Sequence, residues 1–192
     1  MVASRLGWDV SDSDAEILRA TGKSVARLHA EIGADSMHRL EAAHLMFATG
    51  RPGPNVICAA ASVVENERCR SAMASAEVAT VWLRATAETL ASRFRSSDHR
   101  PEFGEDPLTF LDEQLTIRES LFASVSRLVI DVDNRTVEDV ADEVLSYGAR
   151  RTLFPRPPAF DLDHQRPTEE GPDENQEAQD DHVADRRLER DS

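Results

Sequence analysis

Gly22, Lys23 and Ser24 form the tripeptide that closes a phosphate-binding loop, in which successive backbone N–H groups and a lysine hold nucleotide phosphates. Such a loop needs a glycine five residues before Gly22, because a side chain there intrudes on the phosphate, and position 17 is Ile. It also follows a buried strand, whereas residues 14–20 are polar apart from Ile17 and Leu18. The local chemistry therefore predicts a helix boundary, with Gly22 ending one helix and Ser24 capping the next. Asp12 and Asp14, read by themselves, are an N-cap and a first-turn acid. Cys58 lies in an apolar run and Cys69 in a polar, helical one, so neither belongs to a CxxC pair. His38 and His44 are six apart, which suits neither the i,i+3 nor the i,i+4 geometry of a metal site on a helix. No structural metal is expected.

The elements that must position these residues fit one core, since 192 residues leave little room for two full domains. A formal charge of −14 argues against a binder of nucleic acid, which concentrates Lys and Arg on one face. No segment approaches the roughly 20 apolar residues that a membrane span needs, and the N-terminus has no apolar run of signal-peptide length. The expectation is a cytoplasmic protein without a nucleic-acid or membrane partner. From about Pro155 onward the composition shifts to twelve acids, five arginines and five of the nine prolines, which is half of the formal charge. Such a stretch cannot bury enough apolar surface to offset its ordering entropy. Residues 1–150 are read as the folded domain and 151–192 as an acidic, Pro-rich disordered tail.

Within the domain, residues 56–58, 78–83 and 128–132 have the short apolar character of buried parallel strands. Residues 36–48 and 107–125 carry helical periodicity. Residues 136–148 read as a final helix, with Thr136 as N-cap, acids in the first turns and Gly148 just past the end. Alternating strands and helices predict an α/β domain with a mostly parallel sheet.

Several segments then fall into one order: residues 3–17 with Asp12-Ser13-Asp14, 21-TGKS-24, 37-MHRLE-41, 80-TVWL-83, 100-RP-101, 118-RESLF-122 and 129-VIDVDNRTVEDVADEVL-145. Their order and spacing over residues 1–147 resemble the shikimate kinase family. The resemblance implies a three-layer P-loop kinase fold with a five-stranded parallel sheet in the order 2-3-1-4-5. It places 21-TGKS-24 in the substrate-binding subdomain, where its lysine touches no phosphate. It further implies that the family's first strand and Walker A loop would lie just before Met1, so that both are expected to be missing from this chain. Two unpaired strand edges would result.

The resemblance also implies roles for particular residues. Asp12 matches the acid that helps to hold Mg²⁺, and Asp14 the acid that bonds substrate hydroxyls and accepts the attacking hydroxyl's proton. Arg100 matches the lid arginine that reaches the transferring phosphate, Arg118 an arginine that binds the substrate carboxylate, and Arg93 and Arg135 positions that flank adenine. Other positions depart from the pattern. A second carboxylate-binding arginine is His38, its aromatic partners are Met37 and His29, and the glycine turn that contacts substrate is Ala59-Ala60-Ala61. Arg39, the neighbour of His38, points about 100° away on a helix. Ala60 and Ala61 add methyls where close backbone approach and positive φ are expected. The implied function is transfer of the ATP γ-phosphate to shikimate or a related cyclic polyol, impaired without Walker A, by a monomer or weak homo-oligomer. The alternative is a non-catalytic, kinase-derived binding or regulatory module.

Overall fold

A computed structural model describes residues 1–94 and 106–151. The expected tail and the lid arginine Arg100 lie outside the described residues. The chain begins with the short helix α1 (Val2–Leu6), which ends on Gly7, and passes into strand β1 (Asp9–Asp12). The last residue of β1 starts the next element, because Asp12 Oδ1 accepts the Ala15 N–H at 3.0 Å and so caps α2 (Ser13–Thr21). Gly22 closes α2 in the left-handed region at φ 70°, donating its N–H to the Leu18 carbonyl. Ser24 then caps α3 (Val25–Ile32) by accepting the Arg27 N–H. The Gly22-Lys23-Ser24 triplet is thus a helix-to-helix junction, and Lys23 Nζ is paired with Glu31.

Helix α4 (Ala34–Thr49) leads to β2 (Asn55–Cys58), a 3-10 helix (Ala61–Glu65) and α5 (Glu67–Met73). Strand β3 (Val81–Arg84), α6 (Ala87–Phe94), α7 (Pro107–Val125), β4 (Leu128–Asp131) and α8 (Val137–Arg150) complete the order. Asp106 caps α7 with Pro107 in its first turn, and Thr136 caps α8 by accepting the Asp139 N–H at 3.1 Å. One expectation is corrected here. Gly148 is not the residue beyond the last helix but a buried position inside it, and α8 runs on to Arg150. Strand β1 was not anticipated because its sequence, DVSD, is polar. Residues 78–80 lie outside β3, since the Val78 N–H turns back to the Ser75 carbonyl.

Among the described residues, four strands form two parallel pairs, β1 with β2 and β3 with β4, with no ladder joining the pairs. In the first, Asp12 stands opposite Cys58; in the second, Arg84 stands opposite Asp131. Helices α1, α2 and α4 pack against the first pair, while Val10 of β1 is left 56% exposed. Ser11 and Ile57 share a face that packs toward α4 and a core of Ala42, Leu45, Val63, Val64, Cys69, Met73 and Val125. On the second pair, Trp82 stacks on Phe122 of α7 with ring centroids 5.2 Å apart, while Ile130 packs with Val140 and Val144 of α8. Phe122 also borders the first core, so α7 connects the two pairs through side chains. On the α8 side, Arg5 of α1 pairs with Asp142. No described helix is long and apolar enough to cross a membrane.

The junction reading of the triplet has a thermodynamic signature. Gly22→Ala should destabilise the protein by about 1 kcal/mol, because only glycine occupies φ 70° without strain. Lys23→Ala, which removes one partly exposed ion pair, should cost less than about 1 kcal/mol in the same urea titration. A larger loss for Lys23 than for Gly22 would contradict the junction reading.

Candidate active site

In open α/β sheets, ligands meet the carboxyl ends of the strands. At that end of the first pair lie Asp12 and Cys58, followed by the first turn of α2 with Asp14 and by Ala59, Ala60 and the 3-10 helix. Asp14 is exposed and Asp12 half-buried. Burial pushes the Cys58 thiol above its ordinary range, and the Asp12 carboxylate opposite adds to the rise. One oxygen of Asp12 is engaged as the α2 cap. Its carboxylate is nevertheless the hard oxygen donor that Mg²⁺ takes, and Mg²⁺ keeps most of its shell as water and phosphate oxygens rather than protein groups. The described residues contain no cluster of three acidic, His or Cys ligands, so Asp12 fits that ion only as a single contributor.

Of the substrate-side expectations, Ala60 and Ala61 begin the 3-10 helix and Arg118 meets it through Glu65. Helices α4 and α7 both pack against it. Glu41 of α4, more than nine-tenths buried, accepts a hydrogen bond from the Ser62 hydroxyl. His38, half-buried, lies one turn before Glu41 and shares its face of α4. Met37 is fully buried in a core with Ile17 and Leu28, so it serves packing. Arg39 bonds the Ser36 hydroxyl on the exposed side, as its helical phase requires. Ala60 adopts φ −66°, ψ 149°, and Asn134 is the one non-glycine with positive φ among the described residues. The Ala59-Ala60-Ala61 turn adopts no positive φ. The added methyl groups remain.

From α7, the largely buried Arg118 side chain donates its Nε–H to Glu65 Oε1 at 2.6 Å. Arg70 Nη1 holds the Val64 and Glu65 carbonyls at 2.8 and 2.9 Å, which fixes the end of the 3-10 helix that carries Glu65. Glu65 and Ser62 were not singled out from sequence. Their partners are 53 and 21 residues away, and no periodicity signals such a pairing. The same holds for Ser11, whose fully buried hydroxyl lies 2.8 Å from Glu16 Oε1 and 3.0 Å from His44 Nε2.

At the carboxyl end of the second pair, Arg93 Nη2 donates to the Val132 carbonyl at 3.1 Å. Arg135, three residues on, donates from Nη1 to Glu143 Oε2 at 2.5 Å and from Nη2 to the Asp139 carbonyl at 3.1 Å. Both adenine-flanking expectations thus border the loop after β4. That loop is held by Asp133, which accepts the Thr86 N–H at 3.3 Å, and by the forked Arg84–Asp131 pair, with Nε–Oδ1 at 2.5 Å and Nη2–Oδ2 at 3.0 Å. Hydrogen bonds from Thr89 and then Thr86 hold the Asp133 carboxyl below its usual range, and the Arg84 guanidinium does the same for Asp131. A concavity bordered by Gly7, Asp9, Pro52 and Asn55 lies at the opposite, amino ends of β1 and β2 and contains none of these residues.

Two expectations concern stability. A carboxyl depressed in the folded state contributes stability that is present above its unfolded pKa and is lost as pH falls through the folded value. Asp133→Asn should therefore lower stability at neutral pH, where the ionised carboxyl is held by its hydrogen bonds, and approach the parent at low pH, which flattens the acid limb of a stability-against-pH curve. An unchanged acid limb would contradict that linkage. Ser62→Ala leaves a buried carboxylate without its donor and should cost about 1–3 kcal/mol by urea denaturation, with part recovered in Ser62→Ala/Glu41→Gln.

The site can be compared with known proteins. The family model described as shikimate kinase matches residues 1–148. The shikimate kinase of Rhizobium leguminosarum is 34% identical over 146 residues, covering 76% of this chain and 73% of the relative. That of Nitratidesulfovibrio vulgaris is also 34% identical, over 139 residues, 69% of this chain and 77% of the relative. Among solved structures, shikimate kinase from Acinetobacter baumannii in complex with shikimate superposes with a TM-score of 0.73 at 24% identity, over 79% of this chain and 84% of that one. This last similarity concerns the fold.

Proposed function

The chain belongs to the shikimate kinase family, and on that premise we propose that it transfers the γ-phosphate of ATP to a hydroxyl of shikimate or a related cyclic polyol. Asp14 carries this reading. It stands exposed at the carboxyl end of β1, in the first turn of a helix whose preceding acid, Asp12, is fixed as the cap. A carboxylate there is placed to accept the attacking hydroxyl's proton, provided the hydroxyl comes within hydrogen-bond reach. Arg118, His38, Ala60 and Ala61 surround the acceptor molecule, and Arg93 and Arg135 flank the nucleotide base. Arg100 reaches the transferring phosphate. Asp12 would help to hold Mg²⁺, which would supply neutralisation of the phosphate charge. Phosphoryl transfer depends on positioning and charge stabilisation, so these groups need not form a covalent bond to substrate.

A second reading, a kinase-derived module that binds a ligand without turnover, is favoured by one observation. The guanidinium of Arg118 is engaged by Glu65. The two readings separate by experiment. ADP release should be measured with ATP, Mg²⁺ and each of shikimate, quinate and myo-inositol. The kinase reading expects acceptor-dependent ADP release, lowered about 10²-fold or more by Asp14→Asn. Ligand binding without acceptor-dependent ADP release would favour the module, and an unchanged rate in Asp14→Asn would remove Asp14 from the chemistry.

A further inference from the structure

Resting on the kinase reading just given, we infer that Glu65 is a specificity determinant, a carboxylate of the chain itself occupying Arg118, so that the acceptor is an uncharged cyclic polyol rather than a polyol carboxylate. The observation is the ion pair at 2.6 Å between Arg118 Nε and Glu65 Oε1. The Arg118 side chain is 15% exposed and that of Glu65 39% exposed, so the guanidinium is covered while its partner lies at the rim. Neither end drifts. Arg118 sits within the long helix α7, and the Glu65 backbone is held by Arg70 through its own carbonyl and that of Val64.

A guanidinium binds a carboxylate best through two parallel N–H donors, and one such edge includes Nε. With Nε taken by Glu65, an acidic acceptor must either displace a fixed side chain or use the remaining edge with its negative charge beside that of Glu65. Like charges at this separation oppose binding, and more strongly where water is partly excluded. Among the described residues, two further arginines are engaged elsewhere. Arg70 is directed to backbone carbonyls, Arg39 lies on the exposed side of α4 with Ser36, and Glu41, bonded to Ser62, contributes a further carboxylate next to the same 3-10 helix. The position that offers a second guanidinium by family resemblance is the imidazole of His38. Hydroxyl groups suffer none of these penalties. They can donate to Glu65 and Asp14 and accept from Arg118 donors other than Nε.

The test compares an acid and a neutral polyol on the same protein. Dissociation constants for shikimate and myo-inositol are measured by ligand-observed NMR titration on the full chain and on Glu65→Gln, with thermal melts confirming that both are folded. Gln keeps an oxygen that can accept from Arg118 Nε but removes the charge. The parent protein should bind myo-inositol more tightly than shikimate. Glu65→Gln should tighten shikimate by about tenfold or more while leaving myo-inositol within about threefold. Shikimate binding the parent as tightly as myo-inositol overturns the inference, even if the variant does not fold. So does an equal response of both ligands to Glu65→Gln. Either result leaves the kinase reading intact, because that reading is decided separately by acceptor-dependent ADP release. Absence of binding by both ligands to both proteins overturns the inference together with the reading beneath it.

Discussion

The buried hydrogen bond between the Ser62 hydroxyl and the Glu41 carboxylate is the constraint on which the arrangement around the site depends. A carboxylate more than nine-tenths buried is tolerated only with a donor, and the donor comes from a five-residue 3-10 helix that has little stability of its own. The pairing fixes that helix against α4. Val63 and Val64, next in sequence, enter the core with Ala42, Leu45 and Val125, which brings α7 to the same place. Once α7 is there, Arg118 faces Glu65. The polar contact sets where the segment sits, and the apolar burial supplies most of the free energy that keeps it there.

A second theme is economy at strand ends. Asp12 ends β1, caps α2 and stands beside Cys58, so one carboxylate orients the helix that presents Asp14. Asp131 and Asp133 perform comparable work after β4, the first through Arg84 and the second through Thr86. Hydrogen bonds hold Asp131 and Asp133 below the usual carboxylate range.

Much of this was legible in the sequence, and the reason is local. The Gly22 stop, the Ser24 and Thr136 caps and the extent of α7 all follow from residue types that act within four positions of themselves. The family followed from the order of weak motifs over residues 1–147. What was not legible depends on contacts distant in sequence. Strand β1 is too polar to announce itself and exists because β2 pairs with it. Gly148 has the residue type of a helix end, yet it lies buried inside α8. The Glu65–Arg118 and Glu41–Ser62 pairs join elements whose proximity only folding creates. The conformation of the alanine turn was also not legible, and Ala60 takes an extended conformation open to any residue.

The separation of the strands into two pairs bears on how the molecule opens. Within each pair the ladder amides protect one another, but between the pairs the connection is the Trp82–Phe122 stack and the helices around it, not backbone hydrogen bonds. Side-chain packing can loosen in one half without breaking a ladder in the other. Amide exchange should then resolve two cooperative units rather than one, with α7, which touches both, belonging to the more slowly exchanging.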